Sequence, residues 1–266
     1  MSNGSPPVVF VHGLFLHATS WQPWVDLFAQ HGYDAVAPEW PGIPATVAEA
    51  RTQAETYGDH GVDDVVDHYA RIIAALPSKP ILVGHSFGGM IVQKLLGRDL
   101  GAAAIAIDPA PIKGVLPLPL SAVRVASVAL LNPANRKRAV GLTPAQFRYG
   151  FGNTLSEEES AQLHHRWMIP TPGRPLFEAA LANFNPKAST KVDTANATRG
   201  PLLLVAGGRD HTVPPVIVRS THKLYRRSTA VTDLREFPDR GHSLTLDHGW
   251  RDVADACLSW LEKQSL

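Results

Sequence analysis

Short β-branched runs alternate with segments of helical periodicity along most of this 266-residue chain. The run "VVFVH" starts the pattern, and a segment with apolar residues at helical spacing follows it and stops at Gly32. Such alternation is typical of βαβ units, in which a mostly parallel sheet is covered by helices on both faces. Runs of the same kind predict five more strands, at residues 33–40, 80–86, 102–110, 201–208 and 231–237.

The alternation breaks after the strand that ends at Asp108 and resumes near residue 201. The intervening text begins with the proline-rich stretch "PAPIKGVLPLPL" and continues as short helical segments with many aromatic residues. We therefore expect an α/β core domain made of residues 1–110 and 187–266. Residues 111–186 are expected to form a helical cap inserted into that core.

Composition excludes several classes of protein. Hydrophobic residues make up 44% of the chain and charged residues 18%, which is typical of globular proteins. The net charge of +1 gives no electrostatic case for a nucleic acid or an anionic membrane as the main partner. No apolar run is long enough to span a bilayer, and the single cysteine, Cys257, cannot form an internal disulfide. We expect a cytoplasmic protein.

The sequence "GHSFG" at residues 84–88 follows a predicted strand and precedes a predicted helix. G-x-S-x-G in this context is the nucleophile elbow, a tight turn that holds a serine in a strained conformation with its side chain projecting outward. The flanking glycines keep a Cβ from colliding with the adjacent strand and helix. Ser86 is therefore the candidate nucleophile, placed at a helix N-terminus that favours developing negative charge.

A serine hydroxyl needs a general base, and that base needs an acidic partner that orients it. The elbow arrangement has the chain order serine, acid, histidine. "VAGGRDHTVPP" places Asp210 just after a strand, and "FPDRGHSLTLD" places His242 after the last strand. Asp108 also ends a strand, so it remains the alternative acid; otherwise we expect it to line the pocket or brace a loop.

A tetrahedral intermediate requires two N–H donors for its oxyanion. One donor is expected to be the backbone amide of Phe87, directly after the nucleophile. The stretch "VHGLF" follows the first strand and supplies a loop for the second donor, which we assign to the amide of Leu14. Gly13 would allow the sharp turn, and His12 is interpreted as a hydrogen-bonded brace of this loop.

Together the stretches "HGLF", "GHSFGG", "GGRDHTVP" and "DRGHS" resemble the α/β-hydrolase superfamily over almost the whole chain. Within it the chain is most similar to small bacterial serine carboxylesterases. The resemblance implies the α/β-hydrolase fold, a triad of Ser86, Asp210 and His242, and an acyl-enzyme route. Branches that use an aspartate nucleophile are disfavoured because a serine stands at the elbow.

The expected substrate is a small-molecule carboxylic ester with a hydrophobic group of small to medium size. Phe15, Phe151 and Trp167 are the candidate substrate-binding residues, because an apolar cleft suits such a ligand. No cofactor or metal is expected, since the sequence has neither zinc-ligand spacing nor a phosphate-binding loop. Perhydrolases, hydroxynitrile lyases and C–C hydrolases share this catalytic set, so they remain alternatives, as does a ligand receptor without catalysis. The sequence makes no prediction about oligomeric state.

Overall fold

A six-stranded parallel sheet organises the part of the chain that the structure describes. That part, given by a computed structural model, is residues 5–266, so the first four residues of the predicted core lie outside it. The strands of this sheet are β1 (Val8–Val11), β2 (Ala35–Val36), β3 (Ile81–His85), β4 (Ala103–Ile107), β7 (Leu202–Gly207) and β8 (Thr232–Phe237). Their order in the large sheet is β2-β1-β3-β4-β7-β8, and every pairing is parallel. Strands β5 (Ala139–Val140) and β6 (Thr171–Pro172) form a separate pair. The predicted α/β-hydrolase sheet is confirmed.

Helices follow the strands as the alternation predicts. They are α1 (Gln22–Gln30), α2 (Val47–Thr52), α3 (Val62–Ala74), α4 (Phe87–Gly97), α5 (Leu120–Leu130), α6 (Pro144–Gly150), α7 (Glu157–Trp167), α8 (Arg174–Ala180), α9 (Pro215–Leu224) and α10 (Trp250–Lys263). No helix within residues 5–266 combines the length and the apolar character that crossing a membrane requires.

Each face of the sheet carries its own hydrophobic core. Successive side chains of a strand point to opposite faces, so Val9 and Val11 enter one core while Val8 and Phe10 enter the other. Helices α3, α4 and α9 cover the first core, and helices α1 and α10 cover the second. The predicted covering of both faces is therefore confirmed.

The predicted strand at residues 33–40 is much shorter in the structure. Only Ala35 and Val36 pair with β1, because the chain then turns away from the sheet edge. Pro38 has no N–H to offer a ladder, and the amide of Trp40 donates to His12 Nε2 instead of to a strand. The element is an edge strand of two residues.

Residues 111–186 lie between β4 and β7 and contain helices α5 to α8 with the small antiparallel pair β5-β6. The bonds of this segment reach the loops at the carboxyl ends of the strands. We propose the division expected from the sequence, in which residues 111–186 cap a core made of residues 1–110 and 187–266.

Candidate active site

Ser86 occupies the turn between β3 and α4, with φ of 56° and ψ of −120°. This is the left-handed region that non-glycine residues rarely adopt, and such strain is concentrated at functional sites. A Cβ on Gly84 would overlap the Gly88 carbonyl, and a Cβ on Gly88 would overlap the carbonyl of Val11. The two glycines thus let helix, strand and turn approach closely enough to form the elbow.

Asp210 and His242 meet at the same edge of the sheet as Ser86. Asp210 lies in the loop after β7, and His242 lies in the loop after β8. His242 Nδ1 donates to Asp210 Oδ2 at 2.6 Å, and both side chains are fully buried. The other carboxylate oxygen accepts the amides of Thr212 at 2.6 Å and Val213 at 2.9 Å. These bonds stabilise the ionised carboxylate and fix the orientation of the imidazole ring.

His242 Nε2 is the imidazole nitrogen left for proton transfer. It is buried and has no hydrogen-bond partner within residues 5–266. Because Nδ1 carries the proton that Asp210 accepts, Nε2 of the neutral ring is an acceptor.

Asp108, the alternative acid, lies beside this pair without bonding to the histidine. Its Oδ2 is 3.9 Å from His242 Nδ1, and its Oδ1 accepts the amide of Gly207 at 2.7 Å. Burial and the neighbouring Asp210 carboxylate raise the pKa of Asp108 well above its usual range. Asp108 Oδ2 has no hydrogen-bond partner within residues 5–266, so Asp210 is the carboxyl group that bonds to the His242 ring.

The loop after β1 runs against Ser86. A Cβ on Gly13 would lie 2.7 Å from Ser86 Cβ, so a side chain cannot be accommodated there. The backbone amides of Leu14 and Phe87 donate to no acceptor among the described residues 5–266. Both amides are therefore available to a ligand oxygen held near Ser86.

Two histidines and one glutamate brace this loop at both ends. Glu39 lies 3.1 Å from His12 Nε2 and 3.0 Å from His17 Nε2. Burial acts to raise the pKa of Glu39, but the bonds to both histidines outweigh it and lower the pKa to about 2. Burial acts to lower the pKa of His17, but the bond and charge of Glu39 raise it overall. Glu39 gives no local signal in the sequence, because its partners lie more than twenty residues away in the chain.

His85 was also missed, although it adjoins the nucleophile. Its Nε2 donates to the carbonyl of His242 at 2.9 Å, and the two rings lie 4.5 Å apart. Burial, and then the proximity of His242, lower the pKa of His85 well below its usual value, so the ring is neutral. His85 supports the backbone that carries His242.

His85, Asp108 and His242 each offer a ligand atom within 4.8 Å of the others, a spacing that a metal ion could bridge. All three are fully buried, and each already bonds to the protein through another atom or through the Asp210 contact. Each of the three side chains is therefore already held by a hydrogen bond within the protein.

The segment between β4 and β7 contacts the site on two sides. Thr171 Oγ1 accepts the amide of Phe15 at 3.0 Å, and the carbonyl of Trp167 accepts the amide of His17 at 3.1 Å. On the other side, the ring of Phe151 lies 4.7 Å from the His242 ring, edge to face. The predicted substrate-binding residues are all buried, with Phe15 and Phe151 lying beside the site.

A surface cleft of about 560 Å³ opens beside the loop that carries the acid. Asp210 and its neighbours form one wall, and Asn153 and Leu155 form another. Neither Ser86 nor His242 lines this cleft. The reacting groups themselves are enclosed, since Ser86 is 4% exposed.

The sequence model of the alpha/beta hydrolase family matches residues 8–256. The chain belongs to this family. A curated relative, the uncharacterized carboxylesterase nap of Bacillus subtilis (strain 168), is 23% identical over 263 residues, covering 91% of this chain and 75% of the relative. The non-heme chloroperoxidase of Streptomyces lividans is 26% identical over 222 residues, covering 78% of this chain and 75% of the relative.

Solved structures of alpha/beta hydrolases share the fold. The monoacylglycerol lipase of Paleococcus ferrophilus superposes with a TM-score of 0.65 at 22% identity, covering 98% of this chain and 96% of the lipase. A methylesterase from Arabidopsis gives a TM-score of 0.64 at 18% identity, covering 97% and 99%. Carboxylesterases, lipases and methylesterases are thus the named relatives, in agreement with the predicted carboxylic ester hydrolase.

Proposed function

We propose that the protein hydrolyses carboxylic esters of small to medium hydrophobic substrates through an acyl-enzyme. Ser86 is the nucleophile, His242 the general base and Asp210 the acid that orients the base. The observation that carries this proposal is the buried 2.6 Å bond between His242 and Asp210, at the sheet edge where Ser86 sits in a strained turn. Strain and a buried, oriented imidazole have no evident structural purpose apart from chemistry at the serine.

In the proposed reaction the Ser86 hydroxyl attacks the ester carbonyl while His242 Nε2 accepts its proton. The Asp210 carboxylate stabilises the imidazolium that forms. The carbonyl oxygen becomes an oxyanion and receives the backbone amides of Leu14 and Phe87. His242 then gives the proton to the departing alcohol. Water attacks the acyl-enzyme by the same route and releases the acid.

Hydrophobic groups of the substrate are proposed to contact Phe15, Phe151 and Trp167. The support for this choice is that all three are buried, and Phe151 lies directly against the base. Aromatic walls with few polar groups favour apolar acyl or alcohol groups of limited size.

The direct test is turnover of p-nitrophenyl esters of increasing acyl length, run beside Ser86→Ala. We expect short and medium chains to be hydrolysed and Ser86→Ala to lose about 10⁴-fold or more in kcat. Ser20→Ala, which changes another buried serine, is the matched control and should keep its activity. A fluorophosphonate should label the wild-type chain once, at Ser86, as seen by mass spectrometry. Absence of both turnover and labelling would exclude the proposal.

A second candidate is perhydrolysis, favoured by the similarity to a protein named non-heme chloroperoxidase. Hydrogen peroxide would replace water in the second half-reaction, so the acyl-enzyme would yield a percarboxylic acid and regenerate Ser86. Assays with ester and peroxide, measuring peracid by halide oxidation, separate the two reactions. Both depend on the same serine, so Ser86→Ala should abolish each.

A further inference from the structure

Most of the exposed large apolar side chains lie in the segment between β4 and β7. Ten large apolar side chains are clearly exposed within residues 5–266, and seven of them fall between residues 116 and 184. Leu116 and Leu118 are each 77% exposed, Leu120 is 87% exposed and Leu131 is 84% exposed. Large contiguous apolar surface on a water-exposed face usually marks an interaction site.

Helix α5 gives this surface its order. Its buried side chains, Val125 and Ala129, are four residues apart and face the protein. The opposite stripe follows helical spacing through Leu120, Val123 and Leu131, and all three are exposed. The extended stretch before the helix adds Leu116 and Leu118, so the apolar surface is continuous along the chain.

Cations lie in the same stretch of sequence as the leucines, and acidic residues are absent from it. Residues 109–156 contain six lysines and arginines and no aspartate or glutamate. The exposed cations nearest to the leucines in sequence make no ion pair with residues 5–266. We name the following set the outer strip: Leu116, Leu118, Leu120, Val123, Arg124, Leu131, Arg136, Lys137 and Arg138.

A second turn of chain lies against the start of the outer strip. Asn183 Oδ1 accepts the amide of Gly114 at 2.8 Å, and its Nδ2 donates to the carbonyl of Val115 at 2.8 Å. Phe184, which follows, is 86% exposed. The apolar surface therefore extends beyond one helix face. The backbone at its start is fixed by the hydrogen bonds of Asn183 to the Gly114 amide and the Val115 carbonyl.

The chemistry of the outer strip distinguishes between possible partners. A symmetric contact with a second copy would bring the same unpaired cations together, which repels. A protein partner inserts anchors into pockets, but these leucines protrude and are almost fully exposed. A lipid surface suits both features, because acyl chains accept protruding apolar groups and anionic headgroups attract the cations.

We propose that the outer strip docks the protein onto an anionic lipid surface, with the leucines inserted at the headgroup boundary and the cations against lipid phosphates. The net charge of +1 does not reveal the positive charge of the strip, because acidic residues elsewhere in the chain balance that charge. Pro119 and Ser121, between the leucines, line the cleft beside the Asp210 loop, so docking would bring that cleft toward the lipid. The inference does not depend on the proposed esterase activity.

Vesicle co-sedimentation of the full chain tests the proposal. Vesicles of equal parts phosphatidylglycerol and phosphatidylcholine should bind the protein at least about tenfold more tightly than phosphatidylcholine alone. The triple variant Leu116→Ser, Leu118→Ser, Leu120→Ser should weaken binding about tenfold or more. Arg136→Gln, Lys137→Gln, Arg138→Gln should weaken it up to about 100-fold at low salt, since each cation contributes roughly fivefold.

Matched control variants remove exposed cations or exposed apolar groups outside the outer strip. Lys223→Gln, Arg226→Gln, Arg227→Gln also deletes three exposed cations, and Val36→Ser, Val231→Ser deletes exposed apolar groups. Both controls should bind vesicles as the wild type does. The single variant Leu118→Gln serves if a triple variant loses cooperative unfolding.

Three results would overturn the proposal. One is no preference for anionic vesicles, and another is an equal loss of binding in the control variants. The third is a dimer in analytical ultracentrifugation that the leucine variant converts to monomer, since a second copy would then cover the strip.

Discussion

At the carboxyl edge of the sheet, Ser86, Asp210 and His242 are at most 4% exposed, whereas Leu116 and Leu120 on the outer strip are 77% and 87% exposed. At this edge, the side chains of His85, Asp210 and His242 form hydrogen bonds with one another or with the backbone. The strip has apolar groups facing water and cations without carboxylate partners in residues 5–266. The side chains of the edge are buried and bond within the protein, whereas the apolar and cationic side chains of the strip face outward.

This difference predicts a separation of phenotypes. Changes at the edge should alter kcat or folding and leave vesicle binding unchanged. Changes on the strip should alter vesicle binding and leave kcat on soluble esters unchanged. If a substitution in one region changes the property assigned to the other, the two regions are coupled.

The largest expected effect separates the two carboxyl groups at the edge. Asp210→Asn should lower kcat by about 10⁴-fold, because the amide no longer accepts the Nδ1 proton and the imidazole loses its productive tautomer. Asp108→Asn should cost less than about tenfold, because Asp108 Oδ2 lies 3.9 Å from His242 Nδ1 and does not orient the ring. Steady-state kinetics on one short-chain ester measures both.

The outcome that contradicts this assignment is the reverse order, with Asp108→Asn crippled and Asp210→Asn near normal. Thermal unfolding of both variants provides the control. A loss of kcat that accompanies a large drop in Tm would reflect folding, and the choice of acid would then be made by comparing Asp108→Ala with Asp210→Ala at lower temperature.

The next effect concerns the packing of the elbow. Gly88→Ala should lower the free energy of unfolding by about 3 kcal/mol or more, because its Cβ would overlap backbone atoms that cannot rotate away. Gly97→Ala in the same helix is the control, since its nearest atoms would lie 3.4 Å away. Urea unfolding should show the control to be unchanged or more stable, by about 1 kcal/mol at most. Equal stability of the two variants would mean that the elbow is looser than its geometry indicates.

The sequence predicts the edge of the sheet well because its signals are local. Glycines flank Ser86 within two residues, and β-branched runs mark each strand independently of the others. The chain order of serine, acid and histidine then places Asp210 and His242 at one edge without knowledge of the packing. The same reasoning overestimates β2, where Pro38 and the bond from Trp40 end the pairing.

Side chains that act over long sequence separations could not be predicted in this way. Glu39 joins His12 and His17 only because the folded loop brings them together. The raised pKa of Asp108 depends on complete burial beside Asp210, which no local pattern reveals.

The bonds of Glu39 to the loop after β1 should give an intermediate effect that depends on pH. Glu39→Gln removes the charge that pairs with His17 and should lower the free energy of unfolding by about 2 kcal/mol near pH 6. The raised pKa of His17 means that its contribution is complete below about 6.5 and is lost as pH rises through the folded value. The lowered pKa of Glu39 means that its contribution is present above about 4.5 and is lost as pH falls toward about 2.

Urea unfolding of wild type and Glu39→Gln at several pH values therefore checks the sign. The difference should be greatest between about pH 4.5 and 6.5 and should shrink at alkaline pH. A difference that grows with rising pH would contradict the pairing.

A smaller effect is expected when the contact between the inserted segment and the loop after β1 is removed. Thr171→Val keeps the shape of the side chain but removes the oxygen that accepts the amide of Phe15 at 3.0 Å. We expect about a tenfold loss in kcat with little change in KM, because the neighbouring amide of Leu14 is proposed to bind the oxyanion. Thr190→Val is the matched control, since Thr190 is fully buried and its hydroxyl has no partner within residues 5–266. Equal losses in both variants would assign the effect to general packing.

The smallest effect lies on the outer strip. Leu120→Ser should change the free energy of unfolding by less than about 0.5 kcal/mol, because the side chain is 87% exposed and its burial contributes little to the folded state. Leu95→Ser, on the buried face of α4, provides the contrast and should cost several kcal/mol, since it places an unsatisfied hydroxyl in a packed core. If Leu120→Ser is instead strongly destabilising, the strip is covered within this chain, and its leucines are part of the core. If it is neutral in unfolding and still weakens vesicle binding, the leucines are retained for a contact outside the molecule, which is the reading that the unpaired cations beside them support.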